Sequence, residues 1–227
     1  MRVWITRSEP GASRQAAALT DAGVDVLLAP LIRVEATGAP VPEPGFQHVI
    51  FLSEQAVLHG GGLGYCRDAR IHALGPATAR ALAAAGVPAG IPATASSEGL
   101  LDHLEGTAME GSRVLIVAGE AGRKTLGETL SSRGAIVREY LCYRRRALHP
   151  SVNPHAIDAV LVASQDGFRA LARVWFPSGG RPDIRVIVAS SRIAELAPEL
   201  GFANCQVAPG ASVADWLEAL RQGRSFQ

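Results

Sequence analysis

Short runs of consecutive apolar residues alternate along the chain with longer stretches that are apolar on one side. The runs Val3–Thr6, Val24–Ala29, Val49–Leu52, Ile71–Leu74, Arg113–Ala118, Ala159–Ala163 and Val186–Ala189 read as strands. They are apolar throughout rather than alternating, the pattern of strands covered by helices on both faces. Arg14–Ala22, Ser53–His59, Pro76–Ala85, Ser97–Leu104, Arg123–Ser132, Gly167–Trp175, Arg192–Leu200 and Val213–Leu220 read as helices. Gly23, Gly86 and Gly134 stand at stop positions, and Pro76 stands at an early helical position. Leu31–Ala36 and Val137–Arg145 read as extended, and Gly38–Gly45 is a linker carrying three prolines. Strands alternating with helices in this way predict a parallel α/β architecture.

The pattern also repeats. VWITRSEPGASRQAAALTDAGVDV from Val3 resembles VLIVAGEAGRKTLGETLSSRGAIV from Val114, a spacing of 111 residues. Glu9 and Glu120, Gly11 and Gly122, Gly23 and Gly134, and Ser53 and Ser164 all keep that spacing. Gly86 then falls on Gly201, and Leu100 on Trp216. The repeat predicts two similar parallel-sheet α/β lobes with a central cleft. The extended segments Leu31–Ala36 and Leu141–Arg145 occupy equivalent places and would form a two-stranded linker. One lobe is then discontinuous, residues 1–34 plus 147–227, and the other is residues 35–146 with the linker strands.

Composition narrows the function. Hydrophobic residues make up 48% of the 227, enough for a substantial core. Lys and Arg number 22 against 21 Asp and Glu, so no surplus of positive charge points to nucleic acid. Cys66, Cys142 and Cys205 are far apart and odd in number, which reads as free thiols in a reducing compartment. No CxxC or histidine cluster suggests a metal. His48 and His72 sit by strands, where packing accounts for them as well as chemistry does. The opening MRVWITR reads as a strand rather than a signal peptide. No apolar run approaches the roughly 18 residues of a membrane span. The expectation is a cytoplasmic protein with no membrane association.

Familiar catalytic signatures are mostly missing. No GxGxxG follows a strand. Gly122–Thr125 looks like the tail of a phosphate loop, but Val117 stands where its first glycine belongs. Ala95–Gly99 resembles a nucleophile elbow without a strand before it. What remains is a set of small polar residues just after strand ends: Thr6 with Arg7, Ser53, Gly75 with Thr78, Gly119 with Glu120, Ser164, and Ser190 with Ser191. That edge of an α/β sheet is where ligands bind, and helix-start N–H groups there attract anions. Ordinary capping by Ser and Thr explains each residue singly; recurrence in both repeats favours a ligand site. Arg7, Arg80, Arg123 and Lys124 lie on or beside these loops and are suited to clamp carboxylates.

These residues carry a resemblance. Ile5-Thr6-Arg7, Ala22-Gly23, Pro30-Leu31, Phe51-Leu52-Ser53 with Ala56-Val57, and Gly75-Pro76-Ala77-Thr78-Ala79 follow in order. So do Ser97–Leu100, Gly119-Glu120, Gly122-Arg123, Arg133-Gly134, Tyr143-Arg144, Ala163-Ser164 and Ser190–Ala194. In this order they resemble the uroporphyrinogen-III synthase family over nearly the whole chain. Leu52 and Ala163 depart from it, standing where the family commonly has Thr. The resemblance implies cyclisation of hydroxymethylbilane, a linear tetrapyrrole polycarboxylate, to uroporphyrinogen III with inversion of ring D and loss of water. It implies no metal and no organic cofactor. It adds Ser97 to the substrate-binding set and makes Tyr143 the proton donor to the departing hydroxyl, against the plain reading of a linker aromatic that packs. It also implies a monomer, with transient contact to the preceding pathway enzyme left open. Two other readings stay open at this point, a tetrapyrrole-binding or regulatory module without turnover, and an α/β enzyme acting on a phosphorylated metabolite.

Overall fold

Two five-stranded sheets, one parallel throughout and the other parallel in four of its strands, each with helices on both faces, organise the chain. A computed structural model describes residues 1–107, 109–120 and 125–222. By contacts the chain divides into Met1–Arg33 with Arg146–Gln227 (unit 1) and Val34–Arg145 (unit 2).

Unit 1 begins with strand β1 (Arg2–Ile5), helix α1 (Gly11–Asp21) and strand β2 (Asp25–Leu28). After unit 2 it resumes with β8 (Ala159–Val162), α6 (Gln165–Trp175), β9 (Arg185–Val188), α7 (Ser191–Ala194), β10 (Cys205–Val207) and α8 (Val213–Gln222). Its sheet has the order β10-β9-β8-β1-β2 and is parallel throughout. Strand residues point alternately to the two faces. Trp4, Val160, Val162, Val186 and Val188 join one core with Phe168, Leu171 and Trp175 of α6. Val3, Ile5, Ala159, Leu161 and Ile187 join the other with Leu19 of α1 and Trp216 and Leu220 of α8.

Unit 2 contains β3 (Ile32–Ala36), whose first two residues lie before the division, then β4 (His48–Phe51), α2 (Glu54–His59), β5 (Arg70–Ala73), α3 (Pro76–Ala84) and α4 (Ser97–His103). It continues with β6 (Arg113–Gly119), α5 (Thr125–Ser132) and β7 (Ile136–Ala147). The sheet order is β3-β7-β6-β4-β5, and β7, β6, β4 and β5 are mutually parallel. β3 lies alongside β7, where Thr37 N donates to Cys142 O at 3.1 Å. Val49, Phe51, Leu115 and Val117 face one core and Ile50, Val114 and Ile116 the other.

The sequence repeat is a repeat of structure. β8 begins 111 residues after β4, and α6 begins 111 after α2. Gly23, Gly86 and Gly134, just past the ends of α1, α3 and α5, have φ between 76° and 85°, the left-handed region that terminates a helix at little cost for glycine, and Gly201 has φ 83° at the end of the turns that follow α7. Two expectations are corrected. The helix expected over Arg192–Leu200 stops at Ala194, and the chain continues in turns with Leu196 N bonded to Ile193 O and Ala197 N to Ala194 O. Pro198 lacks an N–H and its ring excludes a continuing helix, which accounts for the early stop. The short strand β10, absent from the sequence reading, pairs in parallel with β9 at the sheet edge. No helix among the described residues is long and apolar enough to cross a membrane.

Candidate functional site

The carboxyl ends of β4, β5, β6 and β7 lie along one edge of the unit 2 sheet. Ser53 follows β4 with extended backbone, and its Oγ caps α2 by accepting from Ala56 N at 3.1 Å. The same oxygen lies 3.0 Å from the hydroxyl of Tyr143. Arg145 Nη2 donates to the Tyr143 hydroxyl at 3.3 Å, and its guanidinium carbon stands 5.4 Å from the ring centroid. The His59 ring, at the end of α2, is centred 6.2 Å from that of Tyr143.

A break in strand register puts Tyr143 there. Ala118 pairs with Leu141, but Gly119 pairs with Tyr143, so Cys142 is an extra residue in β7. A bulge of this kind re-aims the side chains beyond it. Tyr140, Cys142 and Tyr143 consequently all pack into one core. The bulge is held by Glu120 N donating to Tyr143 O at 2.9 Å and by the Cys142 thiol directed at Ala118 O at 3.5 Å. Gly119 gives the ring its seat. A Cβ there would fall 2.5 Å from Tyr143 Cε2, so no side chain fits. Gly119, read from sequence as a substrate contact, is a platform for the phenol.

Gly75 precedes α3 in extended conformation and supplies no side-chain cap, and Pro76 follows at the first helical position. Thr78 is buried within α3 at 4% exposure, while Arg80 is exposed. At α4 the cap is Ser96, whose Oγ accepts from Gly99 N at 2.9 Å; Ser97 is the first helical residue beside it.

Unit 1 presents its own edge. Thr6 is 1% exposed, and its hydroxyl donates to Leu161 O at 2.7 Å, tying β1 to β8. The Arg7 side chain lies across the start of α1, where a Cβ on Gly11 would come within 2.6 Å of its Nε. Glu9 accepts from Ser13 N at 3.0 Å and from Ser13 Oγ at 2.8 Å, so α1 already has a carboxylate at its amino end. Ser164 is exposed and caps α6, accepting from Gly167 N at 3.1 Å. Ser190 precedes α7 without a side-chain cap bond, and Ser191 is exposed at its first turn. Arg123 and Lys124 lie outside the described residues.

The groups brought together around the phenol are therefore Ser53, Gly119, Tyr143 and Arg145. Sequence reasoning missed Arg145. The signal was available, since residues two apart on a strand share a face. Among the described residues no group of His, Cys, Asp and Glu side chains is placed to hold a metal ion.

A second polar feature of unit 2 stands within its interior. His48 Nδ1 and His72 Nε2 are 3.1 Å apart, with the rings stacked at 5.3 Å and His103 edge-on to His72. His72 Nδ1 is buried and finds no hydrogen-bond partner among the described residues. Burial, with the charges of His48, His103 and Arg70 behind it, lowers His72 to about 4. Burial and then Arg70 lower His48 as well. Burial pushes the Cys66 and Cys142 thiols up to about 11.

Comparison with known proteins adds to this geometry. A family model described as uroporphyrinogen-III synthase HemD matches residues 13–218. The uroporphyrinogen-III synthase of Salmonella typhimurium is 35% identical over 135 residues, 55% of this chain and 55% of that protein. The protein of the same name from Escherichia coli K12 is 34% identical over 135 residues, with the same coverage. By these matches the chain spans about half the length of the curated relatives. A mutant uroporphyrinogen III synthase from Thermus thermophilus superposes with a TM-score of 0.63 at 18% identity, covering 100% of both chains. A uroporphyrinogen-III synthetase from Helicobacter pylori 26695 gives 0.66 at 16% identity, covering 98% of this chain and 99% of that one. At such identities the likeness concerns the fold.

Proposed function

The chain belongs to the uroporphyrinogen-III synthase family, and on that premise we propose that it closes hydroxymethylbilane to uroporphyrinogen III, inverting ring D and releasing water. The observation that carries the reading is the Tyr143 phenol, seated on Gly119 and hydrogen-bonded at the sheet's carboxyl edge beside the helix-capping Ser53.

The proposed chemistry asks little of the protein beyond a proton and a shape. Pyrroles are electron-rich, so a protonated hydroxymethyl group leaves as water and an azafulvene forms. Geometry does the rest by holding the chain folded so that the substituted carbon of ring D attacks, through a spiro intermediate, in preference to end-to-end closure. The substrate carries eight carboxylates. Arg7, Arg80, Arg123, Lys124, Ser97, Ser164, Ser190 and Ser191 are the groups we assign to them, together with the uncapped amino end of α3 behind Gly75. Thr6 and Thr78, buried as they are, support these contacts from behind. The reading invokes no metal or organic cofactor. We take the enzyme to act as a cytoplasmic monomer that meets the preceding pathway enzyme only transiently.

The test is a coupled assay with freshly made hydroxymethylbilane in which isomers I and III are separated. Closure without the enzyme gives isomer I. The proposal expects isomer III in proportion to the protein added, and isomer I alone would overturn it.

A further inference from the structure

We infer that the proton reaches the departing hydroxyl through Ser53, with Tyr143 behind it as the proton's source and Arg145 as the positioning residue of the phenol oxygen. The inference rests on the cyclisation proposed above and deepens it.

Hydrogen-bond capacity decides the direction. The Tyr143 oxygen has one hydrogen to give, and Arg145 Nη2 donates to it at 3.3 Å. Ser53 Oγ already accepts from Ala56 N at 3.1 Å. If Ser53 donated to Tyr143, the phenol would accept from two donors and its own hydrogen would be left over. Tyr143 is 4% exposed, so a stranded donor there is costly. If Tyr143 donates to Ser53 across their 3.0 Å separation, every group is satisfied. The serine oxygen then accepts from the Ala56 amide and from the phenol, and the serine hydrogen is the one left free. Ser53 is the more exposed of the two residues. The group that meets the substrate is therefore the serine hydroxyl, and the phenol stands one bond behind it.

The atoms and electrons balance. The substrate's C–O bond breaks and its electron pair leaves with the oxygen. That oxygen takes the serine proton and departs as water, while the pyrrole nitrogen supplies the electrons that form the azafulvenium. Ser53 takes the tyrosine proton and is restored. Tyr143 becomes a phenolate beside the Arg145 guanidinium. Ring D then forms the new carbon–carbon bond, rearranges through the spiro intermediate, and loses a proton as its pyrrole regains aromaticity. That proton returns through Ser53 to the phenolate, and the enzyme is unchanged.

Steady-state kinetics scored for isomer III test the relay on Ser53→Ala, Ser53→Thr, Tyr143→Phe, Arg145→Ala and the Ser53→Ala/Tyr143→Phe double variant, with thermal melting of each. Ser53→Ala should lower kcat about 10²-fold, the size of a general-acid contribution, with KM within about threefold. Ser53→Thr, which keeps both the cap and the hydroxyl, should recover most of that. The double variant should be no slower than the slower single one, because the two groups act in series. Arg145→Ala should lower kcat about tenfold or more and regain part of it on addition of millimolar guanidinium, which a merely structural role would not allow. A loss below about fivefold for Ser53→Ala beside a large loss for Tyr143→Phe would overturn the relay, because the phenol would then reach the substrate directly. Additive losses in the double variant, or an Arg145→Ala variant without guanidinium rescue, would overturn it too. A wild-type protein that forms no isomer III defeats the parent reading, and the relay falls with it.

Discussion

Position by position, the two units are built alike until the carboxyl edge. β1 and β6 begin 111 residues apart, as do β2 and β7, and β4 and β8. Ser53 and Ser164 cap equivalent helices with equal 3.1 Å bonds, and Ser96 and Ser212 cap α4 and α8 in the same manner. The departures are few. In unit 1, Pro30 stands where unit 2 has Leu141, and β2 ends at Leu28, whereas β7 runs through its bulge to Ala147. Ala29 N and Leu31 N still donate to Ile5 O and Thr6 O on either side of it, so the donor that Pro30 lacks falls on the outer side of this edge strand, where proline is tolerated. Ile32 stands where unit 2 has Tyr143, and Ala159 and Ile187 stand where it has His48 and His72. One scaffold has been used twice, and the polar groups with a chemical bearing accumulate on the copy whose strand runs on. The lesson is that a shared fold specifies where a site can be, and local breaks in its regularity specify which copy carries it.

The largest expected effect comes from removing what unit 1 lacks. Tyr143→Phe should lower kcat for isomer III by about 10² to 10³-fold, the range for loss of a general acid. Its melting temperature should stay close to the parent's, because Phe keeps the ring that rests on Gly119. Kinetics and calorimetry on the same preparation check both halves, and a variant with near-normal turnover would return Tyr143 to the role of a packing aromatic.

Giving unit 2 the residues of unit 1 at the histidine pair comes next. His72 is held at about 4 when folded, against about 6.5 when unfolded. Below pH 6.5 the unfolded chain binds the proton that the folded chain refuses, so stability falls as pH drops from about 6.5 toward 4 and levels off below that. The loss is of the order of 3 kcal/mol for a shift of that size. His48→Ala/His72→Ile should abolish most of this slope and leave isomer III formation at pH 8 unchanged. Urea unfolding at several pH values is the measurement, and an equally steep slope in the variant would place the acid-sensitive group elsewhere.

Thr6→Val keeps the shape of a buried side chain and removes its hydrogen bond to Leu161 O. Unit 1 should lose about 1 to 2 kcal/mol of stability, seen as a lower urea midpoint. An unchanged midpoint would mean that the hydroxyl does not tie β1 to β8. The smallest effect concerns the thiols. Cys66 and Cys142 are buried and shifted up to about 11, while Cys205 is half-buried. Under native conditions an alkylating reagent should label Cys205 first. Early labelling of Cys142 would contradict the packing described around the bulge.

Much of this was legible in the sequence because it depends on local pattern. Continuous apolar runs gave β1, β4, β6 and β8, the glycines at 23, 86 and 134 marked real helix ends, and the spacing of 111 revealed the equivalence of Ser53 and Ser164. What escaped depends on pairing between distant segments. The extra residue at Cys142 is defined by the partner strand, so the pattern of β7 alone did not show that Tyr143 turns toward Ser53. Arg145 is a different case, since it lies two residues from Tyr143 on the same strand and was legible from that spacing once Tyr143 was singled out. The His48–His72 contact joins two strands whose register no single segment records. Thr6 looked like a ligand-facing hydroxyl because its partner, Leu161, lies 155 residues away.

The claim that the chemistry belongs to one of two equivalent units is tested most directly by Ser53→Ala and Ser164→Ala assayed side by side for isomer III. Each substitution removes the same helix cap, so the cost to the local fold is matched. The expected loss in kcat is about 10²-fold for Ser53→Ala and about two- to fivefold for Ser164→Ala, the latter matching one lost neutral hydrogen bond. Equal losses from the two serines, or a greater loss from Ser164→Ala, would contradict it.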